Sequence, residues 1–259
     1  MTRPIALGLA VVTSVALAGC MAARAWSVSD PTLSAMDASV SGSDQHGTLA
    51  IADPSPGSRD DGPEIWIDAE SGERLIRRRS PIADDGTWTV TTAPESGDAG
   101  SRVTLSREDH PGGEGFLIRL HRVEDLDSGR AIVFAPPLLA VGSPLERGAV
   151  ETESGEGSLE GLGSGPVSAE VSFVGEGTIE TGQGAATGLL VKTETEMEFG
   201  PALVWREVVV LYGRGPGAED GSPPVPIAEA VRQRTKVGPI TVDSSNDVLV
   251  RAGAVEQSG

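Results

Sequence analysis

The side chains able to do chemistry in this chain of 259 residues are few and widely separated. His46, His110 and His121 are the three histidines; no HExxH occurs, and no two stand at metal-ligand spacing. His46 falls in a polar stretch and His110 in a Pro-Gly turn. His121 sits on a strand with Leu117 and Arg119, opposite Phe116, Ile118 and Leu120, where a solvated imidazole is expected rather than a catalytic base. Gly163-Ser164-Gly165 lacks the spacing of a nucleophile elbow. Gly182 and Gly184 do not complete a dinucleotide fingerprint, and no glycine-rich loop ends in Lys-Ser or Lys-Thr. Glu194, Glu196 and Glu198 share one strand face in steps of about 7 Å, a separation that glycoside hydrolysis can use. That chemistry wants two unequal environments in an aromatic-lined cleft, however, and these three lie on one uniform wet face. "DLDSG" at 125–129 and "SRDDG" at 58–62 offer hard oxygens to calcium without EF-hand spacing. Asp-Gly and Asp-Ser turns account for both through side-chain-to-backbone hydrogen bonds. The basic cluster "RLIRRRS" at 74–80 reads as a solvated strand or turn offsetting nearby acids. No catalytic residue, metal or cofactor is expected.

One residue does carry a clear signal. Cys20 is the only cysteine, and it closes the stretch Leu17-Ala18-Gly19-Cys20. Before it, Arg3 and the amino terminus give a short positive start, and Ile5 to Ala18 follow without a charge. This apolar run of about 14 residues is too short for the ~20 that span a bilayer, and it suits the core of a secretory signal. The segment resembles the lipobox of bacterial lipoprotein signal peptides. The resemblance implies cleavage before Cys20, a diacylglycerol on its sulfur and an acyl chain such as palmitate on its amine. Two or three chains give stable anchoring where one would be marginal. Met21 stands where an Asp would resemble an inner-membrane retention signal, which favours the outer membrane, facing the periplasm.

Charge narrows the partners. The net charge of −18 argues against phosphate backbones, so no nucleic acid is expected as a partner. With Cys20 acylated no disulfide can form, and stability rests on a hydrophobic core. Aromatics are 3% of the chain, and 34 Gly with 18 Pro imply many turns rather than long helices.

The organisation expected is a signal peptide at 1–19, a lipidated Cys20 with a flexible tether through 62, and one β domain at 63–259. "SVSGSDQHG" and "ADPSPGSRDDGP" read as solvated linker. In "GLLVKTETEMEFG" the residues Leu189, Val191, Thr193, Thr195, Met197 and Phe199 alternate with Lys192, Glu194, Glu196 and Glu198, the period of a half-buried strand. "LVWREVVVLYG" follows after the turn "GPA", so the two form a hairpin. Further strands are expected at 64–68, 87–91, 102–106, 115–123, 130–135, 167–174, 236–242 and 247–251, and a short helix at 226–234. The glycine-rich stretch 148–187 is either a low-complexity loop or bent strand; alternation from Val167 to Phe173 favours strand. The fold class is all-β and mainly antiparallel, a curved sheet or open half-barrel with at most one or two short helices.

"FAPPLLAVGSPLERG" at 134–148, the glycine-rich region, "EMEFGPALVWREVVV" and "YGRGPGAEDG" come in an order that resembles lipoproteins of the LolA/LppX-like type. That resemblance implies an antiparallel half-barrel with an apolar concave face over roughly 64–251. It carries the expected function: a lipid-anchored, non-enzymatic envelope protein that binds a lipid or other apolar ligand. The inward set expected is Val171, Phe173, Val191, Met197, Phe199 and Trp205. A closed, ligand-free core would show the same pattern. The alternative is a structural subunit that docks another envelope protein through its sheet.

Overall fold

Period-two alternation over most of the chain resolves into an all-β antiparallel protein. The computed structural model describes residues 48–57, 62–95, 97, 100–160, 163–181, 184–215 and 219–253. In chain order the strands are β1 (Thr48–Leu49), β2 (Glu64–Asp68), β3 (Arg74–Arg79), β4 (Thr87–Pro94), β5 (Ser101–Asp109), β6 (Phe116–Asp125) and β7 (Ala131–Ser143). They continue as β8 (Leu145–Glu146), β9 (Val150–Leu159), β10 (Gly163–Thr181), β11 (Gly184–Phe199), β12 (Ala202–Gly213), β13 (Val225–Val237) and β14 (Ile240–Arg251). No helix forms among the described residues. β1 pairs with β8, and the other twelve strands close into an antiparallel barrel of order β10-β11-β12-β13-β14-β2-β3-β4-β5-β6-β7-β9. The sheet therefore curls past an open half-barrel until its ends meet.

Closure runs through the glycine-rich stretch. β9 and β10 pair along Val150–Leu159 and Gly163–Ser172, so this region is bent strand rather than loop. β9 then meets β7 only over Glu156–Leu159. Two glycines show why side chains are missing there. A Cβ on Gly165 would collide with the Glu198 carbonyl oxygen, and one on Gly188 with that of Tyr212. Strands that coil this tightly approach each other too closely for a methyl group.

Several expectations need correction. The stretch 226–234 is not a helix but the centre of β13, because β12 and β14 offer it ladders on both sides. The spacing of four between Ile227 and Val231 suits one face of a strand as well as of a helix and so does not discriminate; Leu211 faces Ala228 and Tyr212 faces Pro226, so Ile227 is the extra residue of a bulge. The expected strand at 236–242 straddles a turn, since Val237 pairs with Ile240 around Gly238. The folded body also starts before residue 63. Leu49 and Ile51 are buried in a core cluster, and the Ile51 N–H donates to Ser143 Oγ at 3.2 Å. Residues 1–19 and Cys20 lie outside the described residues, as do His46 and most of "SRDDG".

The interior face is set by register. Leu189 to Phe199 pair with Tyr212 to Ala202, as the hairpin reading required. One apolar cluster joins Ile132, Phe134, Leu138, Leu159, Val167, Ala169, Met197, Phe199 and Val204. A second joins Trp88, Phe116 and Ile118 to Val171, Phe173, Val191 and Tyr212 from the far side of the barrel. The Thr193 hydroxyl donates across the interior to the Ala140 carbonyl at 3.3 Å. The opposite face of β10 to β13 carries Ser168, Glu170, Glu196, Glu198 and Arg234. Towards the other end of β11 to β14, that same face holds a further buried cluster built on Leu190, Val209, Leu211, Ala228 and Val250.

Candidate functional site

The interior wall formed by β10 to β14 can be followed row by row. Val167, Met197, Val204, Thr235 and Asp243 pair in series across five strands. The next row up is Ala169, Thr195, Arg206, Gln233 and Ser245, and the one above is Val171, Thr193, Val208, Val231 and Asp247. On the β10 side these rows belong to the two apolar clusters. Towards β14 they turn polar, and Arg206, Gln233, Thr235, Asp243, Ser245 and Asp247 share one patch of wall. The patch separates the cluster containing Met197 from the one containing Tyr212.

Its electrostatics are unbalanced. Arg206 lies on the interior face of β12 and is partly buried; burial pulls its pKa down against the opposing charges of Glu229 and Asp247. The guanidinium forms no hydrogen bond or ion pair with any described residue. Glu229 is committed elsewhere, bound by Arg77 at 2.9 Å. Asp247 is pushed up to about 7 by burial and by the charges of Asp68 and Glu70, with Arg206 pulling the other way. Burial also raises Asp243. Thr235 Oγ1, Ser245 Oγ and Asp247 Oδ2 are buried without a hydrogen-bond partner. Each such atom costs about 1–3 kcal/mol unless water or a ligand meets it.

A neighbouring polar group on β2 and β3 shows the contrast. Glu64 accepts from Arg79 at 3.0 Å and from the Trp66 indole N–H at 3.2 Å, and lies 3.4 Å from Arg251. Burial alone would raise the Glu64 carboxyl, but Arg79 and Arg251 outweigh it and hold it below its ordinary value. Arg77 stacks over the Trp66 ring at 4.1 Å and donates to Thr92 Oγ1 at 3.1 Å. Two arginines of the basic cluster thus offset acids as expected, but they are buried rather than solvated.

The structure divides the residues expected to contact an apolar ligand. Val171, Phe173 and Val191 pack in one cluster, Met197 and Phe199 in the other, and all five are buried. Trp205 is turned to the opposite face, between Glu196 and Arg234. The remaining candidates are placed as follows. Asp125 Oδ1 accepts the N–H of Asp127 at 2.9 Å, making the turn at "DLDSG". Glu194 pairs with Lys192 at 2.9 Å, and Glu196 and Glu198 are exposed. His110 Nδ1 accepts the Gly112 N–H at 3.0 Å. His121 is the extra residue of a bulge in β6, and its Nε2 lies 2.7 Å from Ser106 Oγ. The nearby Asp85 accepts from the Thr87 N–H and hydroxyl through Oδ1. No group of three or more metal-ligating side chains stands together among the described residues.

Sequence reasoning passed over Arg206, Gln233, Thr235 and Asp247. Part of the signal was present, since Arg206 interrupts an apolar face between Val204 and Val208, while Gln233 and Thr235 on β13 and Asp243, Ser245 and Asp247 on β14 form polar runs. That these residues align is a matter of register, which alternation within one strand does not reveal. No family model, curated protein or solved structure matches the chain.

Proposed function

We propose that this chain is a lipid-anchored, non-enzymatic protein of the cell envelope whose barrel is a binding module for a small polar ligand. Anchoring rests on Cys20 and its signal sequence, with the outer membrane, on its periplasmic side, as the site. The observation that supports binding is the convergence of partnerless polar atoms, Thr235 Oγ1, Ser245 Oγ and Asp247 Oδ2, on one patch of interior wall. Buried polar groups in folded proteins are met by protein, water or ligand. A cluster left unmet by the chain itself, next to a partly buried guanidinium, is the pattern of a pre-formed polar site.

An apolar ligand has less to recommend it. The side chains expected to meet it are spent on packing against one another. Docking through a free sheet edge has fewer places to act, because closure leaves only stretches such as 150–155 of β9 without a partner on the β7 side. The test is mass spectrometry of the full-length protein, extracted from membranes under native conditions. A polar small molecule should travel with it. Cys20→Ser should leave the precursor uncleaved or release it from the membrane; a processed, fully membrane-bound Cys20→Ser protein would refute the anchor.

A further inference from the structure

We propose that the polar patch of the barrel wall binds the oxyanion group of a small ligand, a carboxylate or a phosphate, gripped by Arg206 and hydrogen-bonded by Thr235 and Ser245. This rests on the reading of the barrel as a binding module and names what it holds.

The geometry selects an anion. A guanidinium presents five N–H donors and accepts nothing, so only an acceptor-rich partner can satisfy it. The two acids that bear on Arg206 are poor candidates. Glu229 already accepts from Arg77 at 2.9 Å. Asp247 makes no ion pair with Arg206 within 4 Å, and its burial disfavours the charged form. A positive charge partly withdrawn from water without a direct counterion is costly, and an incoming oxyanion removes that cost.

The hydroxyls fit the same ligand. Thr235 and Ser245 stand on adjacent strands, on the face that carries Arg206, with Gln233 paired between Arg206 and Ser245. A hydroxyl can donate to an anionic oxygen, and bonds to charged acceptors are the strong ones. The polar wall runs from Asp243 to Asp247, about 13 Å at ~3.3 Å per residue, and apolar layers bound it. That height suits a carboxylate or phosphate group with a short body. The oxyanion belongs either to a free small molecule or to a lipid headgroup.

The experiment uses full-length protein in a neutral detergent. Inorganic phosphate and succinate are the free probes. A short-chain phosphatidylglycerol below its micellar concentration, against the matching phosphatidylcholine, is the lipid probe. Calorimetry and the shift of the thermal midpoint read binding. Wild type should bind phosphate or succinate saturably. Arg206→Gln should weaken this at least about tenfold, the expected loss of a charged hydrogen bond, and Arg206→Lys should restore part of it. Thr235→Val, isosteric at a buried position, should weaken binding severalfold while circular dichroism shows a folded barrel. Arg206-dependent binding of phosphatidylglycerol alone would assign the oxyanion to a headgroup. Binding unchanged in Arg206→Gln, or no binding of any anionic probe, overturns the proposal. Native mass spectra of the same preparations separate the two readings. A neutral polar molecule retained by Arg206→Gln would sink the oxyanion and keep the binding module. Protein carrying nothing and answering no probe would remove both.

Discussion

Asp247→Asn is expected to stabilise the protein, and by an amount that grows with pH. Asp247 has an ordinary value of 3.8 and is pushed up to about 7 in the folded state by burial and by Asp68 and Glu70, against Arg206. The folded state therefore holds a proton that the unfolded chain has released, and stability falls as pH rises from about 4 to about 7. Below this window both states are protonated and nothing is lost; above it the loss is complete and flat. At ~1.4 kcal/mol for each tenfold change in proton affinity, the full penalty is about 4 kcal/mol, an upper figure because the side chain keeps some contact with solvent. Asparagine has the same shape and no charge to bury, so the variant escapes the penalty. The groups around it, Asp68 and Glu70 from β2 and its turn, Arg206 from β12 and Asp243 on its own strand, are common to both proteins and cancel to first order. Urea unfolding of wild type and variant at pH 5, 6, 7, 8 and 9 reads the difference directly. Asp247→Asn should gain on wild type between pH 5 and 7 and then hold a constant lead. A pH-independent difference, or a lead that shrinks on going alkaline, would show that Asp247 ionises normally and refute the account of its burial.

Three further outcomes follow from packing and charge. Met197→Asp should destabilise by several kcal/mol, because it places a charge among Phe199, Val167 and Val204, whereas exposed Glu196→Gln should change stability by less than about 0.5 kcal/mol; equal effects in chemical denaturation would reverse the faces of β11. Glu64→Gln should cost about 3–5 kcal/mol at pH 7, since Glu64 and Arg79 are each only 7% exposed and Arg79 would be left unpaired. The wild-type advantage should fade as pH drops below the ordinary carboxylate range, because the Glu64 carboxyl is held low in the folded state; thermal midpoints from pH 3 to 7 would read it. Gly165→Val should destabilise or abolish folding by forcing a Cβ into the Glu198 carbonyl oxygen, which circular dichroism would reveal, and a well-folded variant would disprove the close approach of β10 and β11.

The fold was legible where one strand carries its own evidence. The hairpin of β11 and β12 shows alternation, a turn and β-branched residues within a span of about two dozen positions, and its faces follow without tertiary information. Closure was not legible. Whether a curled sheet stops at a half-barrel or meets itself depends on β9 finding both β7 and β10, a pairing between segments that share no local signal. Ile227 and Val231 misled because a spacing of four falls on one face of a strand as well as of a helix, and only the ladders from β12 and β14 decide between them. The buried arginines of "RLIRRRS" were equally hidden, because Arg77 finds Glu229 at a separation of 152 residues. The polar patch needed both kinds of knowledge, the polar residues within each strand and the register that lines those residues up.

Structure alone could explain a polar patch if this chain simply tolerated charge inside its barrel, and its other buried arginines argue against that. Arg79 lies against Glu64, Arg77 against Glu229 with Trp66 and Thr92 completing its contacts, and Arg119 against Glu108 at 2.8 Å and Glu153 at 2.6 Å. Each of these three guanidiniums, partly withdrawn from water, is given a carboxylate, as the cost of burying charge requires. Arg206, also partly buried, is given none among the described residues. Around it, hydroxyls at Thr235 and Ser245 and a carboxyl oxygen at Asp247 are also left without partners. Unpaired groups scattered at random would cost stability with no return. Gathered on one face of adjacent strands, in three successive rows, they offer donors to an acceptor-rich group such as a carboxylate or phosphate. Exceptions to local satisfaction that cluster in this way are expected at functional sites, and that is why the Arg206 patch, rather than the apolar clusters flanking it, is where function is placed.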